Sequence, residues 1–297
     1  MDKIAVIGAG TMGNGIAHVF AQHGFPVHLV DHSSIQLEKA LLNISKNLER
    51  QLQKGVISAD QKTHSYNLIR TFDSIKEGIF ETDLIIEAAT ENEEVKIQIF
   101  RELDKHAAPD AILASNTSSI SITRIAAETK RPSQVIGMHF MNPVPLMKLV
   151  EVINGYATAK SVTDKIVELS RQLEKTPCVV NDYPGFISNR ILMPMINEAI
   201  ISFQEGVAPV ETIDSIMKLG MAHPMGPLQL ADFIGLDVCL AILNVLKDGF
   251  GNPKYAPAAI LVNMVAAGKL GVKSGEGFYD YTDGQKNLVV SERLIKR

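Results

Sequence analysis

His139 and Glu151 lie twelve residues apart, in Gly137-Met138-His139-Phe140-Met141-Asn142-Pro143 and Leu149-Val150-Glu151-Val152. Their types suit proton transfer. A neutral imidazole can take a hydroxyl proton near pH 7. A carboxylate bonded to its second ring nitrogen would fix the tautomer, orient the ring and steady the imidazolium that forms. A strand glutamate is just as readily a solvated side chain, so spacing alone leaves Glu151 open. The chain holds eight histidines. His18 and His23 fall in a first helical pattern, His28 in a strand-like run, and His64 and His106 in polar surroundings. His32 flanks an acidic residue, and His223 sits in a proline-rich turn. His139 alone follows the C-terminal end of an apolar run that reads as a parallel strand, the edge where α/β sheets bind ligands.

The N-terminus explains what such a base would serve. Gly8-Ala9-Gly10-Thr11-Met12-Gly13 fits G-x-G-x-x-G, after the apolar run Ile4-Ala5-Val6-Ile7 and before a helical pattern starting around Met12. That context makes the string informative. Gly8 permits the tight turn, Gly10 lets backbone approach a pyrophosphate, and Gly13 lets helix and strand pack closely. The helix N-terminus, with Thr11 and Met12 in its first turn, offers N–H groups to phosphates. Asp31, eighteen residues past Gly13, ends a second apolar run. A carboxylate there accepts ribose hydroxyls and repels a 2′-phosphate, and no arginine follows in His32-Ser33-Ser34. The expected cofactor is NAD, and hydride transfer from an alcohol carbon needs a base for the hydroxyl proton.

Apolar runs at 4–7, 27–30, 84–86, 111–114 and 135–138 alternate with helix-length segments, which predicts a parallel sheet with crossover helices. After Asn181-Asp182-Tyr183-Pro184-Gly185 the pattern becomes helical. The expected architecture is α/β: an N-terminal Rossmann-type doubly wound sheet over 1–184, then an all-helical domain over 185–297 for substrate and dimerisation. A helical hairpin insertion is expected near 34–70, where Leu37, Leu41, Ile44, Leu48 and Leu52 form a stripe at helical spacing. Lys46, Arg50 and Lys54 repeat on another side of it, either a solvated face or a strip for phosphates.

Composition narrows the classes. Hydrophobic residues are 46% and charged residues 21%, with a net charge of −4, which gives no global pull toward nucleic acid or an anionic membrane. No apolar stretch approaches the ~20 residues of a membrane span, and no signal peptide is expected before the strand starting near Lys3. Cys178 and Cys239 have neither pairing nor metal-ligand spacing. A cytoplasmic protein without a metal is the expectation.

Several blocks in order resemble the L-3-hydroxyacyl-CoA dehydrogenases, in particular the bacterial 3-hydroxybutyryl-CoA branch. They are Ser115-Asn116-Thr117-Ser118-Ser119, His139-Phe140-Met141-Asn142-Pro143-Val144-Pro145, Met147-Lys148-Leu149-Val150-Glu151 and Pro184-Gly185-Phe186-Ile187-Ser188-Asn189-Arg190. Pro224-Met225-Gly226-Pro227-Leu228, Gly235-Leu236-Asp237 and Lys273-Ser274-Gly275-Glu276-Gly277-Phe278-Tyr279 follow. The resemblance implies His139 as catalytic base and Glu151 as its partner. It implies Ser118 and Asn142 where nicotinamide and substrate meet, and Asn189 as an amide holding the substrate oxygen. Ser118 and Asn189 would act as neutral donors to the ketone. Asp31, Glu91, Lys96 and Lys273 would contact the cofactor, and Lys54 would meet coenzyme A. Met141 departs from the family, which usually has phenylalanine there, so altered packing beside the base is expected.

The activity so implied interconverts (S)-3-hydroxyacyl-CoA and 3-ketoacyl-CoA with NAD(H), the short acetoacetyl-CoA pair first, in fatty acid or butanoate metabolism. The implied partners are an acyl-CoA thioester and a second copy of the chain. Two alternatives stand beside it: a sugar-acid dehydrogenase of the L-gulonate type, and a non-catalytic NAD-binding protein.

Overall fold

The computed structural model describes residues 1, 3–284 and 288–295. The chain divides into two compact units, Met1–Tyr183 and Pro184–Arg297; within the second, 285–287 and 296–297 lie outside the described residues.

In the first unit, β1 (Ile4–Ile7), α1 (Thr11–Gln22), β2 (Val27–Val30), α2 (Ser34–Gln53), α3 (Ala59–Asn67), β3 (Ile69–Phe72) and α4 (Ile75–Gly78) make the first half. The second half contains β4 (Leu84–Glu87), α5 (Glu93–His106), β5 (Ile112–Ser115), α6 (Ile122–Ala127), β6 (Val135–Phe140), β7 (Leu149–Asn154), α7 (Lys160–Gln172) and β8 (Thr176–Asn181). Strand order is β3-β2-β1-β4-β5-β6-β7-β8. The first six strands are parallel, the doubly wound order whose crevice opens at the β1/β4 reversal. β1, β2, β4, β5 and β6 are buried throughout, as helices on both faces require. Leu37, Ile44 and Leu48 of the expected stripe are buried, and the 34–70 insertion forms the hairpin α2–α3.

β6 extends two residues beyond the expected 135–138, so His139 lies inside the strand and not past its end. The reason is tertiary. β7 returns antiparallel beside β6, and pairing His139↔Glu151 and Phe140↔Val150 holds both residues extended.

In the second unit, α8 (Ser188–Gln204), α9 (Val210–Gly220), α10 (Pro227–Ile234), α11 (Leu236–Phe250) and α12 (Ala259–Ala266) enclose their own core around Ile196, Leu228, Leu243 and Leu261. It is not purely helical: β9 (Tyr279–Asp280) and β10 (Val289–Val290) form an antiparallel ribbon, followed by α13 (Glu292–Ile295). Two buried carboxylates order this unit. Asp214 accepts from Leu228 N–H, Gln229 N–H and the Tyr279 hydroxyl at 2.8, 3.0 and 2.8 Å. Asp232 accepts from Phe278 and Tyr279 N–H at 2.9 Å each and from the Tyr281 hydroxyl at 3.1 Å. The blocks at 224–228 and 273–279 thus meet on Asp214. Among the described residues, no single helix is long and apolar enough to cross a membrane.

Candidate active site

The glycine turn forms as its sequence demands. Gly8 adopts φ +101°, and a Cβ there would stand 2.8 Å from Ala88 O. A Cβ on Gly13 would fall 1.7 Å from Gly8 O, so helix and turn touch only because that atom is missing. At Gly10 a Cβ would meet nothing within 4 Å, which leaves backbone facing open space. Gly10 caps α1 without a side-chain hydrogen bond, and Thr11, Met12 and Gly13 put no acid in the first turn. Those N–H groups suit a pyrophosphate.

Asp31 follows β2, and its carboxylate accepts from Ala9 N–H at 2.8 Å and from Ser33 N–H at 2.9 Å. It therefore ties the glycine turn to the next strand end while its remaining lone pairs suit ribose hydroxyls. Asp31 beyond β2 and Ser118 beyond β5 are three strand steps apart, roughly 14 Å, a span that two linked nucleotides cover. The residues fit NAD.

Between them lies a buried ion cluster. Lys96 donates to both oxygens of Glu87, at 2.7 and 2.9 Å, and the two side chains are 1% and 0% exposed. Ser115 Oγ and Ala89 N–H also donate to Glu87, at 2.6 and 2.7 Å. Lys96 lies 3.6 Å from the Glu91 carboxylate as well. Its ammonium anchors the strand ends and faces Glu91. Glu91 Oε1 gathers Thr117 Oγ (2.7 Å), Ser118 N–H (2.9 Å) and the Ser118 hydroxyl (3.1 Å). Lost hydration pushes the Glu91 carboxyl up, but the Lys96 ammonium and hydrogen bonds from Thr117 and Ser118 outweigh it and hold the group below its ordinary range. Glu91 is therefore an acceptor only, and the Ser118 hydroxyl donates to it.

His139 Nδ1 lies 2.8 Å from Glu151 Oε2, with His139 9% and Glu151 2% exposed. Facing register positions on neighbouring strands bring the pair together. Phe140 N–H donates to Asn116 Oδ1 at 2.9 Å, and the Phe140 ring meets Phe20 of α1 edge-on at 6.5 Å, so the backbone beside His139 is fixed from both directions. The carboxylate engages Nδ1 and so sets the orientation of the ring. Gly8, Asp31, Glu91, Ser118 and His139 all stand at the C-terminal edge of the six parallel strands.

The remaining expected residues are spread more widely. Asn142 is exposed in the 141–148 loop. Lys54, just after α2, lines a cavity of about 670 Å³ with Arg50, Lys148 and Lys175. Asn189 is buried in the first turn of α8 in the second unit. Lys273, also there, donates to Asp237 at 2.6 Å. Glu87, Ser115 and Asn116 were not foreseen as site residues; the polar Ser-Asn-Thr after an apolar run was the available signal.

Fold and strand edge together define an α/β dinucleotide-binding protein with a histidine–carboxylate pair. Residues 3–183 match the family described as 3-hydroxyacyl-CoA dehydrogenase, NAD binding domain. Residues 185–281 match its C-terminal domain. The chain is 53% identical to the 3-hydroxybutyryl-CoA dehydrogenase of Bradyrhizobium diazoefficiens, over 95% of this chain and 96% of that one. It is 41% identical to the mitochondrial hydroxyacyl-coenzyme A dehydrogenase of Sus scrofa, over 95% and 91%. Among solved structures it resembles (S)-3-hydroxybutyryl-CoA dehydrogenase from Ralstonia eutropha, with a TM-score of 0.93 and 46% identity over 95% of this chain and 99% of that one. The chain belongs to the 3-hydroxyacyl-CoA dehydrogenase family, and its first unit is an NAD-binding domain.

Proposed function

We propose that this protein interconverts (S)-3-hydroxybutyryl-CoA and acetoacetyl-CoA, and acts more broadly on short 3-hydroxyacyl-CoA thioesters. The observation that carries the reading is the 2.8 Å His139–Glu151 pair on the strand edge that also carries the glycine turn. NAD, when bound, supplies the hydride acceptor. His139 Nε2 takes the C3 hydroxyl proton, and Glu151 at Nδ1 steadies the resulting imidazolium. In the reducing direction the imidazolium returns that proton to the C3 oxygen. Ser118, its own proton turned toward Glu91, accepts from a donor on the ligands. Asn189 supplies the amide donor to the substrate oxygen, and Asn142 lies beside the reacting groups. Asp31 and Glu91 hold the cofactor, and Lys96 supports it through Glu91.

Coenzyme A suits the cavity with Arg50, Lys54 and Lys148 on its wall, since three cations favour phosphate. The first unit carries the groups proposed for cofactor and base. Ile216, Leu219 and Met221, exposed on and just after α9, support a homodimer; a monomeric mass by light scattering at micromolar concentration would contradict it. Two unpaired cysteines, Cys178 exposed and Cys239 buried, suit a cytoplasmic address. The test is NADH oxidation with acetoacetyl-CoA beside NAD⁺ reduction with L-gulonate. Turnover on acetoacetyl-CoA alone is expected. Turnover on L-gulonate alone transfers the protein to the sugar-acid enzymes, and none on either leaves a binding protein.

A further inference from the structure

Lys175 sits between α7 and β8, looks like a solvated lysine in Leu173-Glu174-Lys175-Thr176, and is only 7% exposed. Its Nζ donates to two backbone carbonyls, Val144 O at 2.6 Å and Met147 O at 2.8 Å. Among the described residues it forms no ion pair within 4.0 Å. Desolvation, with Lys148 nearby, lowers its pKa. An ammonium largely withdrawn from water on a cavity wall and bonded to two carbonyls is costly to maintain, so its placement needs a reason.

Both carbonyls belong to the 141–148 loop, which leaves β6 after Phe140, one residue past His139, and enters β7 at Leu149, two residues before Glu151. Inside it, Leu146 and Met147 N–H both donate to Pro143 O at 3.0 Å, so a tight turn aims Val144 O and Met147 O at one point. On the other side the loop rests on α1: a Cβ on Gly15 would stand 3.0 Å from Val144 Cβ. Thr176 N–H closes the far end on Lys148 O at 2.8 Å. The loop is thus clamped between the dinucleotide helix and the Lys175 ammonium.

We propose that Lys175 is a positioning residue for proton transfer: by stapling the 141–148 loop it holds β6 and β7 in the register that joins His139 to Glu151, and it fixes Asn142. The proposal rests on His139 being the base. An unstapled loop lets the pair drift, and misplacement of about 1 Å can cost on the order of 10²-fold in turnover.

The experiment compares kcat and KM for acetoacetyl-CoA, and the NADH dissociation constant, in wild type, Lys175→Met, Lys175→Arg and His139→Gln. Expected for Lys175→Met is a kcat loss of about tenfold or more with NADH affinity within about twofold, because the glycine turn is untouched. Lys175→Arg, keeping charge and donors, recovers at least about half of that loss on a logarithmic scale. Wild-type kcat in Lys175→Met, or equal losses in Met and Arg variants, overturns the staple. Should Lys175→Met fail to bind NADH, Lys175→Gln replaces it under the same criteria. Wild-type turnover in His139→Gln removes the base itself, a separate failure.

Discussion

Glu151 faces His139 because β7 places it there: the two are register partners on antiparallel strands as well as a 2.8 Å hydrogen-bonded pair. The backbone ladder therefore sets the geometry, and a one-residue slip would turn one side chain to the opposite face. Glu151→Gln keeps the shape and removes the negative charge. Its kcat is expected to fall on the order of 10²-fold or more with NADH affinity retained. Steady-state kinetics with a fluorescence titration of NADH checks this; wild-type kcat would make Glu151 structural.

Asp31 holds Ala9 N–H of the glycine turn at 2.8 Å, and the proposed reading adds a ribose contact. Asp31→Ala is expected to weaken NADH by about 10- to 100-fold without creating an NADPH enzyme, because losing a charged hydrogen bond also loosens the turn. Direct titration of both cofactors decides. Tight NADPH binding by the variant would show that the loop bond is dispensable.

Lys96 and Glu87 form a pair sealed from water. Removing one partner strands a buried charge, so Lys96→Met is expected to cost about 3–5 kcal/mol of stability, and Glu87→Leu in addition should restore much of it. Urea unfolding of the single and double variants measures both. A single-variant loss no larger than that of an exposed pair would contradict the coupling.

Asp232 carries a pH signature. Burial pushes its carboxyl up to about 6, from a reference value of 3.8, despite two N–H bonds and a tyrosine. Between those values the folded state binds more protons than the unfolded chain, so this group's contribution to stability grows as pH falls through 6. The stability of wild type relative to Asp232→Asn should therefore rise from about pH 7.5 to about pH 5. Urea titrations at both pH values test the sign, and a falling difference would reverse it.

Local signals were legible in the chain itself. Gly8, Gly10 and Gly13 between an apolar run and a helix announce their turn, because the steric demands act within a few residues. The α2–α3 hairpin follows from the Leu37–Leu52 periodicity. Tertiary pairing was harder to foresee. His139 looked as if it followed its strand, since β7 alone extends β6 to Phe140. Nothing adjacent to Lys96 or Lys175 in the chain reveals that Glu87 or a loop's carbonyls will enclose them. The contact between Ser118 and Glu91, twenty-seven residues away, has no local signal either.

The most direct test of the proton-transfer chemistry is single-turnover NADH oxidation by His139→Gln with acetoacetyl-CoA. The expected rate is lower than wild type on the order of 10²–10⁴-fold at unchanged NADH affinity. A wild-type rate would contradict His139 as the group that moves the proton.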